Sequence, residues 1–347
     1  MAFKRANREI VQNIKKGYYY RKMPPALQKG YEIAAEGILS FQKKVKIADC
    51  SGKEEMERII RAVLMEHPQF FYLNAKDIGV VNAGESFSFS FHYLYDKKEA
   101  IQLLQQIDNR ADYILSEIIT DGMTDYDKCV AIHDYVTNHI RYNFSAAAVS
   151  YIYDAFTIEG PILKNQAVCE GIAKTIAYLL DKLSVNHLIV AGFSDIDGVH
   201  APHAWNMVEL EGSYYHIDAT WDLQEINHFT NCSHMYVNLD DDSMLENHDW
   251  ELGDYPSCDK RAENYYVKEG RFFRSMRSFE LYAQKFLQEG QSFMDARFED
   301  VLDLPDENGN YLAEIIQKSA VYAGKRCQVS FVFHPCNYVF QANVMYG

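Results

Sequence analysis

The hydrophobic positions between Cys169 and Leu183 recur with the spacing of an amphipathic helix. Gly171 is the one poor helix former in this segment, and it lies in the first turn. The apolar members are Ile172, Ala173, Ile176, Ala177, Leu179, Leu180 and Leu183. Residues three and four apart share one face of a helix, so the pattern predicts a buried helix that begins at or near Cys169.

Two β-rich runs follow this helix along the chain. They cover residues 203–210 and 213–220, and only Glu211 and Gly212 separate them. A two-residue connection that contains glycine is typical of a β-hairpin. We therefore expect these runs to pair as antiparallel neighbours.

The length of that turn sets which side chains share a face. A two-residue turn pairs Leu210 with Ser213, and the same register makes His203 and Asp218 diagonal neighbours on one face of the sheet. They would then lie within reach of an imidazole–carboxylate hydrogen bond. A three-residue turn would reverse the parity, so this prediction depends on the turn.

The remaining pattern divides the chain into three blocks, 1–96, 97–259 and 260–347. The first and last each predict strands, helices and a hairpin, and we expect them to be α+β modules. The central block opens with two predicted helices, at about 97–119 and 125–140. It then continues into the helix and hairpin described above, which makes it the expected core.

Three side chains with the chemistry of a thiol enzyme occur in order on these elements. A thiol at a helix start is stabilised as a thiolate by the backbone N–H groups and the helix dipole. A histidine that is oriented by a carboxylate can act as base for such a thiol. Each residue also has a structural interpretation: Cys169 as a packing residue, His203 as a core or edge histidine, and Asp218 as a strand-end cap.

The stretch at about 125–221 resembles the transglutaminase-like core of the papain-like cysteine enzymes. The motifs that carry the resemblance, in the family's order and spacing, are TDYDKCVAIHDYVTNHIRYN, VCEGIAKTIAYLLDKL, HAWNMVEL and YYHIDATWD. The resemblance implies an α+β fold with the nucleophile helix packed on an antiparallel sheet. It also implies Cys169 as the nucleophile, His203 as general base and then acid, and Asp218 as the group that orients the imidazole.

The residues beside Cys169 match neither the tissue-type transglutaminases nor the papain-type proteases of this family. Tissue-type transglutaminases have Gln just before the nucleophile and Trp just after it, whereas this chain has Val168 and Glu170. The difference favours hydrolysis over cross-linking, with both outcomes open. The backbone N–H of Cys169 can serve as one oxyanion donor, and Gln166 is the candidate for a second.

Two tryptophans flank the predicted histidine–aspartate pair. The resemblance implies that Trp205 and Trp221 wall the substrate groove, while packing behind the sheet is the structural alternative. The polar, glycine-containing segment at residues 194–203 is either a mobile flap beside His203 or a plain connection between strands, since the two look alike in sequence.

The charge of the chain limits its partners. A formal net charge of -15 argues against nucleic acid, whose binding depends on neutralising phosphates. It also disfavours anionic membrane surfaces, and no apolar run approaches membrane-spanning length. A protein or peptide substrate is the expected partner, and the sequence does not predict an oligomeric state.

The cysteines and histidines do not predict a disulfide framework, a metal or a cofactor. Seven cysteines occur at scattered positions. The candidate zinc ligands after the core lack the repeated paired spacing of structural zinc sites; they are His228, Cys232, His234, His248 and Cys258. The basic start of the chain has no apolar run, which predicts a cytoplasmic protein, or a secreted one if a signal sequence has been removed.

The leading hypothesis is a thiol-dependent amide hydrolase or acyl transferase that acts on proteins or peptides, with cysteine protease-like activity preferred. A transglutaminase or deamidase that uses an amine acceptor is the first alternative. A non-catalytic protein-binding scaffold with the same fold is the second. A binding module has no need of all three of Cys169, His203 and Asp218, which argues against the scaffold.

Overall fold

The computed structural model describes residues 17–82, 86–149, 152–196, 198–227, 233–299, 309–335 and 337–347. The helices are α1 (Tyr18–Lys22), α2 (Pro25–Leu39), α3 (Lys53–Glu66), α4 (Lys97–Ile118), α5 (Asp125–His139), α6 (Phe144–Ala148), α7 (Cys169–Lys182), α8 (Gln224–Asn227), α9 (Asp241–Met244), α10 (Tyr265–Lys268), α11 (Met276–Gln288) and α12 (Asn310–Tyr322). The strands are β1 (Lys44–Ile47), β2 (Leu73–Asn82), β3 (Phe87–Tyr93), β4 (Arg141–Tyr142), β5 (Gln166–Ala167), β6 (His187–Ile196), β7 (Val199–Leu210), β8 (Ser213–Ile217), β9 (Val237–Leu239), β10 (His248–Asp249), β11 (Phe272–Phe273), β12 (Phe293–Phe298), β13 (Cys327–His334) and β14 (Val339–Tyr346). Helices on antiparallel sheets confirm the predicted α+β class.

A small sheet of order β1-β3-β2 opens the fold, and α2 and α3 pack against it. The apolar residues of α3 recur at helical spacing, and Met56, Ile59 and Val63 are buried among them. Gly37 lets α2 approach β1 closely, because a Cβ there would lie 2.4 Å from the side chain of Val45.

The central sheet has the order β10-β6-β7-β8-β9, and neighbouring strands in it are antiparallel. Helix α7 lies across β6 and β7. Small residues make this approach possible, since Ala173 and Ala177 of the helix pack on Ile189 and Ala204 of the strands. The Asn206 amide nitrogen donates to the Ala173 carbonyl at 3.0 Å, which ties β7 to the N-terminal half of α7.

The turn between β7 and β8 has the predicted length. Glu211 and Gly212 both adopt positive φ, at 50° and 77°, as a two-residue hairpin turn that matches the strand twist requires. Leu210 pairs with Ser213, which confirms the predicted register. The two-residue turn therefore sets which side chains of β7 and β8 lie on the same face of the sheet.

A third sheet, of order β11-β12-β14-β13, carries α11 and α12 and encloses a hydrophobic core of its own. That core lies within residues 273–344, while a larger core joins the first sheet to the central one. The division at 96/97 and 259/260 stays a prediction. In the part of the chain described, no helix is long and apolar enough to span a membrane.

Some features differ from the sequence prediction. The run predicted at 213–220 is shorter, because β8 ends at Ile217 and Asp218 lies just beyond it. Residues 194–203 are not the loop expected between strands, because β6 continues to Ile196 and β7 begins at Val199. Asp195 pairs with His200 there, so the segment is the far end of a hairpin whose exposed polar residues resemble a loop in sequence. The sequence also gave no signal for β12, whose residues are nearly all buried and do not alternate.

Candidate active site

Cys169 is the first residue of α7, as the hydrophobic pattern predicts. Val168 precedes it in an extended conformation, and no side chain caps the helix start. The free thiol is half-buried. The segment Tyr153–Phe156 crosses this helix start closely: Val168 donates its N–H to the Ala155 carbonyl at 3.0 Å, and a Cβ on Gly171 would lie only 2.2 Å from that same oxygen.

His203 and Asp218 meet across the hairpin. The Nε2 atom of His203 lies 2.7 Å from Oδ2 of Asp218, and both side chains are buried. The other carboxylate oxygen of Asp218 accepts the backbone N–H of Thr220 at 2.9 Å. This contact uses the Nε2 edge of His203 and leaves its Nδ1 edge for the thiol.

The charges around His203 favour its protonated form. Burial opposes the positive ring, but the charge and hydrogen bond of Asp218, followed by those of Cys169, raise the pKa of His203 to about 10. Burial likewise opposes the carboxylate of Asp218, yet His203 and then His248 hold the pKa of Asp218 well below its usual range. The site thus stabilises an imidazolium between a carboxylate and a thiol.

Tyr142 is a site residue that the sequence analysis did not assign. Strand β4 pairs with β5 in parallel, which brings Tyr142 opposite Ala167 and beside the start of α7. Its hydroxyl lies close enough to Cys169 for the thiol and the backbone N–H of that residue to influence its pKa. Burial, and then the charges of Cys169 and Asp218, raise the pKa of this hydroxyl. The only sequence signal was the tyrosine in RYN after α5.

Gln166, the predicted second oxyanion donor, is exposed on β5. Its side-chain oxygen accepts the amide N–H of Asn143 at 3.3 Å. Whether Gln166 contacts substrate stays a prediction.

The two predicted groove residues lie in different surroundings. Trp205 is 1 % exposed and lies behind His203, with ring centroids 5.9 Å apart, so its ring is not accessible. Its indole N–H donates to Nδ1 of His216 at 2.9 Å, and Nε2 of that histidine lies 2.9 Å from Asp241. Trp221 is half-buried, and its ring centroid lies 4.8 Å from that of His248.

The negative charge next to the thiol has a local partner. Glu170 lies 2.5 Å from the ammonium of Lys174, one helical turn later. Lys174 is buried, and it also donates to the Phe156 carbonyl at 3.2 Å. The carboxylate that differs from the family's pattern is therefore neutralised where it stands.

Among the described residues, three groups of side chains bring possible metal-ligand atoms within 4.8 Å of one another. They are His133–Asp134–His234, His203–Asp218–His248 and His216–Asp241–Cys258. The candidate zinc ligands weighed from sequence are thus distributed over different groups, while His228 and Cys232 lie outside the described residues. Imidazole–carboxylate contacts within these groups, such as His234 to Asp134 at 2.8 Å, are at hydrogen-bond distance.

Comparison with known proteins supports the resemblance drawn from sequence. Residues 112–219 match the model of the transglutaminase-like superfamily. Human kyphoscoliosis peptidase is 24 % identical over 181 residues, which cover 47 % of this chain and 27 % of that protein. The mouse kyphoscoliosis peptidase is 22 % identical over 199 residues, covering 52 % and 30 %. The matched region is therefore less than a third of either relative.

A solved structure described as that of a TGase aligns with 51 % of this chain and 50 % of its own, at 17 % identity and a TM-score of 0.30. The resemblance to the transglutaminase-like superfamily is confirmed through the family match at residues 112–219.

Proposed function

Because residues 112–219 are transglutaminase-like, we propose that this protein is a thiol-dependent amide hydrolase or acyl transferase for protein or peptide substrates. Cys169 is its nucleophile, His203 its general base and acid, and Asp218 the residue that orients the imidazole. The observation that carries the proposal is the buried 2.7 Å contact between His203 Nε2 and Asp218, on an imidazole whose pKa Cys169 also raises.

The reaction begins from a thiolate–imidazolium pair. The Cys169 thiolate attacks the amide carbonyl carbon, and the carbonyl π electrons move to oxygen. As the carbon–nitrogen bond breaks, His203 gives its proton to the leaving amine, and an acyl-thioester remains. Water then attacks the thioester and gives a proton to His203, which releases the acid and restores the thiolate.

We assign two donors to the oxyanion of this reaction. The backbone N–H of Cys169 is one, as the position at a helix start allows. The second is the Tyr142 hydroxyl, whose pKa responds to Cys169 and which lies on the strand that pairs with β5 just before the thiol. This assignment replaces Gln166 as the preferred side-chain donor.

The acceptor of the acyl group distinguishes the candidate activities. We favour water, because the residues on either side of Cys169 are not those of cross-linking enzymes. Transfer to an amine, or deamidation, is the alternative with the same residues in the same roles. A scaffold without turnover is the remaining alternative, and the raised pKa of His203 beside a half-buried thiol argues against it.

Alkylation across pH tests the nucleophile. Cys327 is a matched internal control, because it is also a half-buried free thiol and burial raises its pKa. We expect iodoacetamide to modify Cys169 below pH 7 much faster than Cys327, as read by peptide mass spectrometry. Equal rates at the two thiols would overturn the proposal.

Activity assays then identify the acceptor. Cleavage of a peptide library reports hydrolysis, and incorporation of a fluorescent amine into casein reports transfer. Cys169→Ala must abolish the activity found, while Cys327→Ala must leave it unchanged. An activity that survives Cys169→Ala belongs to another site and contradicts the assignment.

A further inference from the structure

We propose that His248 is a positioning residue of this site, which fixes the Asp218 carboxylate so that Asp218 can orient His203. The inference rests on the proposed function. His248 lies on β10, at the edge of the central sheet and outside the matched residues 112–219.

One carboxylate oxygen serves two imidazoles. Oδ2 of Asp218 lies 2.7 Å from Nε2 of His203 and 3.1 Å from Nε2 of His248. The two rings are tilted by 55°, with centroids 5.4 Å apart, so they approach the oxygen from different directions. Since Oδ1 is bound by the Thr220 N–H, both oxygens are fixed and the carboxylate cannot rotate without losing a contact.

His248 is itself rigidly held. Its Nδ1 atom lies 2.7 Å from the side-chain oxygen of Asn247, and the Asn247 amide nitrogen lies 2.6 Å from the Tyr236 hydroxyl. Its side chain has no exposed surface, and the rings of Trp205 and Trp221 lie at 5.1 Å and 4.8 Å. A buried histidine with both nitrogens engaged is a fixed reference for the group that it contacts.

The electrostatic consequence follows from burial. A buried carboxylate tends to protonate, and the hydrogen bond of His248 acts with the charge and hydrogen bond of His203 against that tendency. Burial lowers the pKa of His248, with Asp218 opposing this shift and His203 and His216 adding to it, so the ring donates to Asp218 in its neutral form. Tyr236 contributes a packed ring. Loss of His248 would therefore let Asp218 protonate at a higher pH, and His203 would lose the charge that supports its imidazolium.

Substitutions at His248 separate this role from simple packing. His248→Phe keeps a ring of similar size but removes the donor to Asp218, whereas His248→Gln returns an N–H group. We expect His248→Phe to lower kcat/KM by about 10–100-fold, the range found when a supporting hydrogen bond is lost. We expect it also to move the acidic limb of the pH profile of Cys169 alkylation to higher pH. His248→Gln should restore much of kcat/KM and much of the wild-type pH profile.

Trp250→Phe is the matched control. Trp250 lies two residues along the chain and packs on Trp205 and His216, with no bond to Asp218. It should leave the pH profile in place even if it lowers stability. An unchanged acidic limb in His248→Phe, or an equal shift in Trp250→Phe, would overturn the positioning role.

A measurement on the wild-type protein covers the case in which His248→Phe does not fold. Alkylation of Cys169 should shift the ring ¹⁵N resonances of His248 in NMR spectra, because the change at His203 passes through Asp218. Ring ¹⁵N resonances of His248 that do not shift on alkylation would overturn the inference. A wild-type Cys169 that shows no enhanced reactivity would instead refute the proposed function, so the two failures are distinguishable.

Discussion

Asp218 combines near-complete burial with a carboxylate that stays ionised. The cost of removing a lone charge from water is several kcal/mol, and here two imidazoles and a backbone N–H compensate it. His203 gains in return, since its pKa rises to about 10. At the scale of single residues, the arrangement that would activate the thiol also links folding stability to pH.

The sign of that linkage differs for the two partners. The raised pKa of His203 contributes stability that is fully present below its unfolded value of about 6.5 and is lost as pH rises through about 10. The lowered pKa of Asp218 contributes stability that is present above about 3.8 and is lost as pH falls through its folded value. We expect urea midpoints of the wild type to decline between about pH 7 and 10, and Asp218→Asn to flatten that decline.

Asp195→Asn is the control for this experiment. Asp195 also lies near a histidine, His200 at 3.1 Å, but both side chains are about half exposed. Exposed pairs contribute little to stability, so this variant should keep the wild-type pH dependence. A decline that persists in Asp218→Asn would contradict the linkage.

Tyr142 provides the second prediction at this scale. If its hydroxyl stabilises the oxyanion, Tyr142→Phe should lower kcat by about 100–1000-fold with little change in KM, as the loss of one such donor does. Tyr153→Phe removes a hydroxyl from the segment that crosses the same helix start and should have little effect. An equal loss in both variants would assign the effect to packing rather than to catalysis.

At the scale of elements, the β7–β8 hairpin brings the site together. Because side chains alternate along a strand, a slip of one residue would move His203 and Asp218 to opposite faces. The positive φ of Glu211 and Gly212 keeps the turn at two residues. The geometry of the candidate site thus depends on a turn at the opposite end of the strands.

Gly212→Ala tests that turn. A Cβ at this position would meet nothing within 4 Å, so the cost is conformational alone, about 1 kcal/mol for a left-handed residue with a side chain. Gly253→Ala is the matched control, because its Cβ also meets open space and its φ is not positive. Urea unfolding should show a loss for Gly212→Ala only, and equal losses would contradict the conformational explanation.

The elements that the sequence predicted are those with local signals. Helix α7 has an uninterrupted apolar face, and the β7–β8 turn is marked by its glycine. Strand β12 gave no such signal, because Asp295 and Arg297 are charged yet buried: Asp295 pairs with Arg271, and Arg297 donates to Ser243 at 2.8 Å.

The candidate site shows the same division between local and distant information. His203 and Asp218 are 15 residues apart and joined by one hairpin. Tyr142 and His248 reach the site from β4 and β10, through pairings with β5 and β6 that no local pattern encodes. The contact between His203 and Asp218 was therefore predictable from sequence, and the residues that approach it from β4 and β10 were not.

At the scale of the whole molecule, two large hydrophobic cores suggest two cooperative units. Phe286 of α11 is fully buried in the C-terminal core, and Phe89 of β3 is fully buried in the larger one. Truncating such a side chain to alanine costs about 3–5 kcal/mol. We expect hydrogen exchange in urea to show that Phe286→Ala weakens protection of residues 273–344 first, whereas Phe89→Ala weakens the larger core first.

Leu281→Ala provides the control within α11, since this side chain is 51 % exposed and should contribute little. If Phe286→Ala lowered protection equally in both cores, the chain would unfold as one unit, and the boundary predicted at 259/260 would have no energetic meaning.

The close contact between Gly171 and the Ala155 carbonyl at the start of α7 has a consequence for how the sequence evolves. The space between Gly171 and the Ala155 carbonyl admits no side chain, whether or not the neighbouring thiol performs chemistry. Selection for folding therefore acts on Gly171 and selection for turnover acts on Cys169, and the two can separate over time. In homologous sequences that have replaced the cysteine, glycine should persist at position 171, and such descendants would keep the architecture after the chemistry is gone.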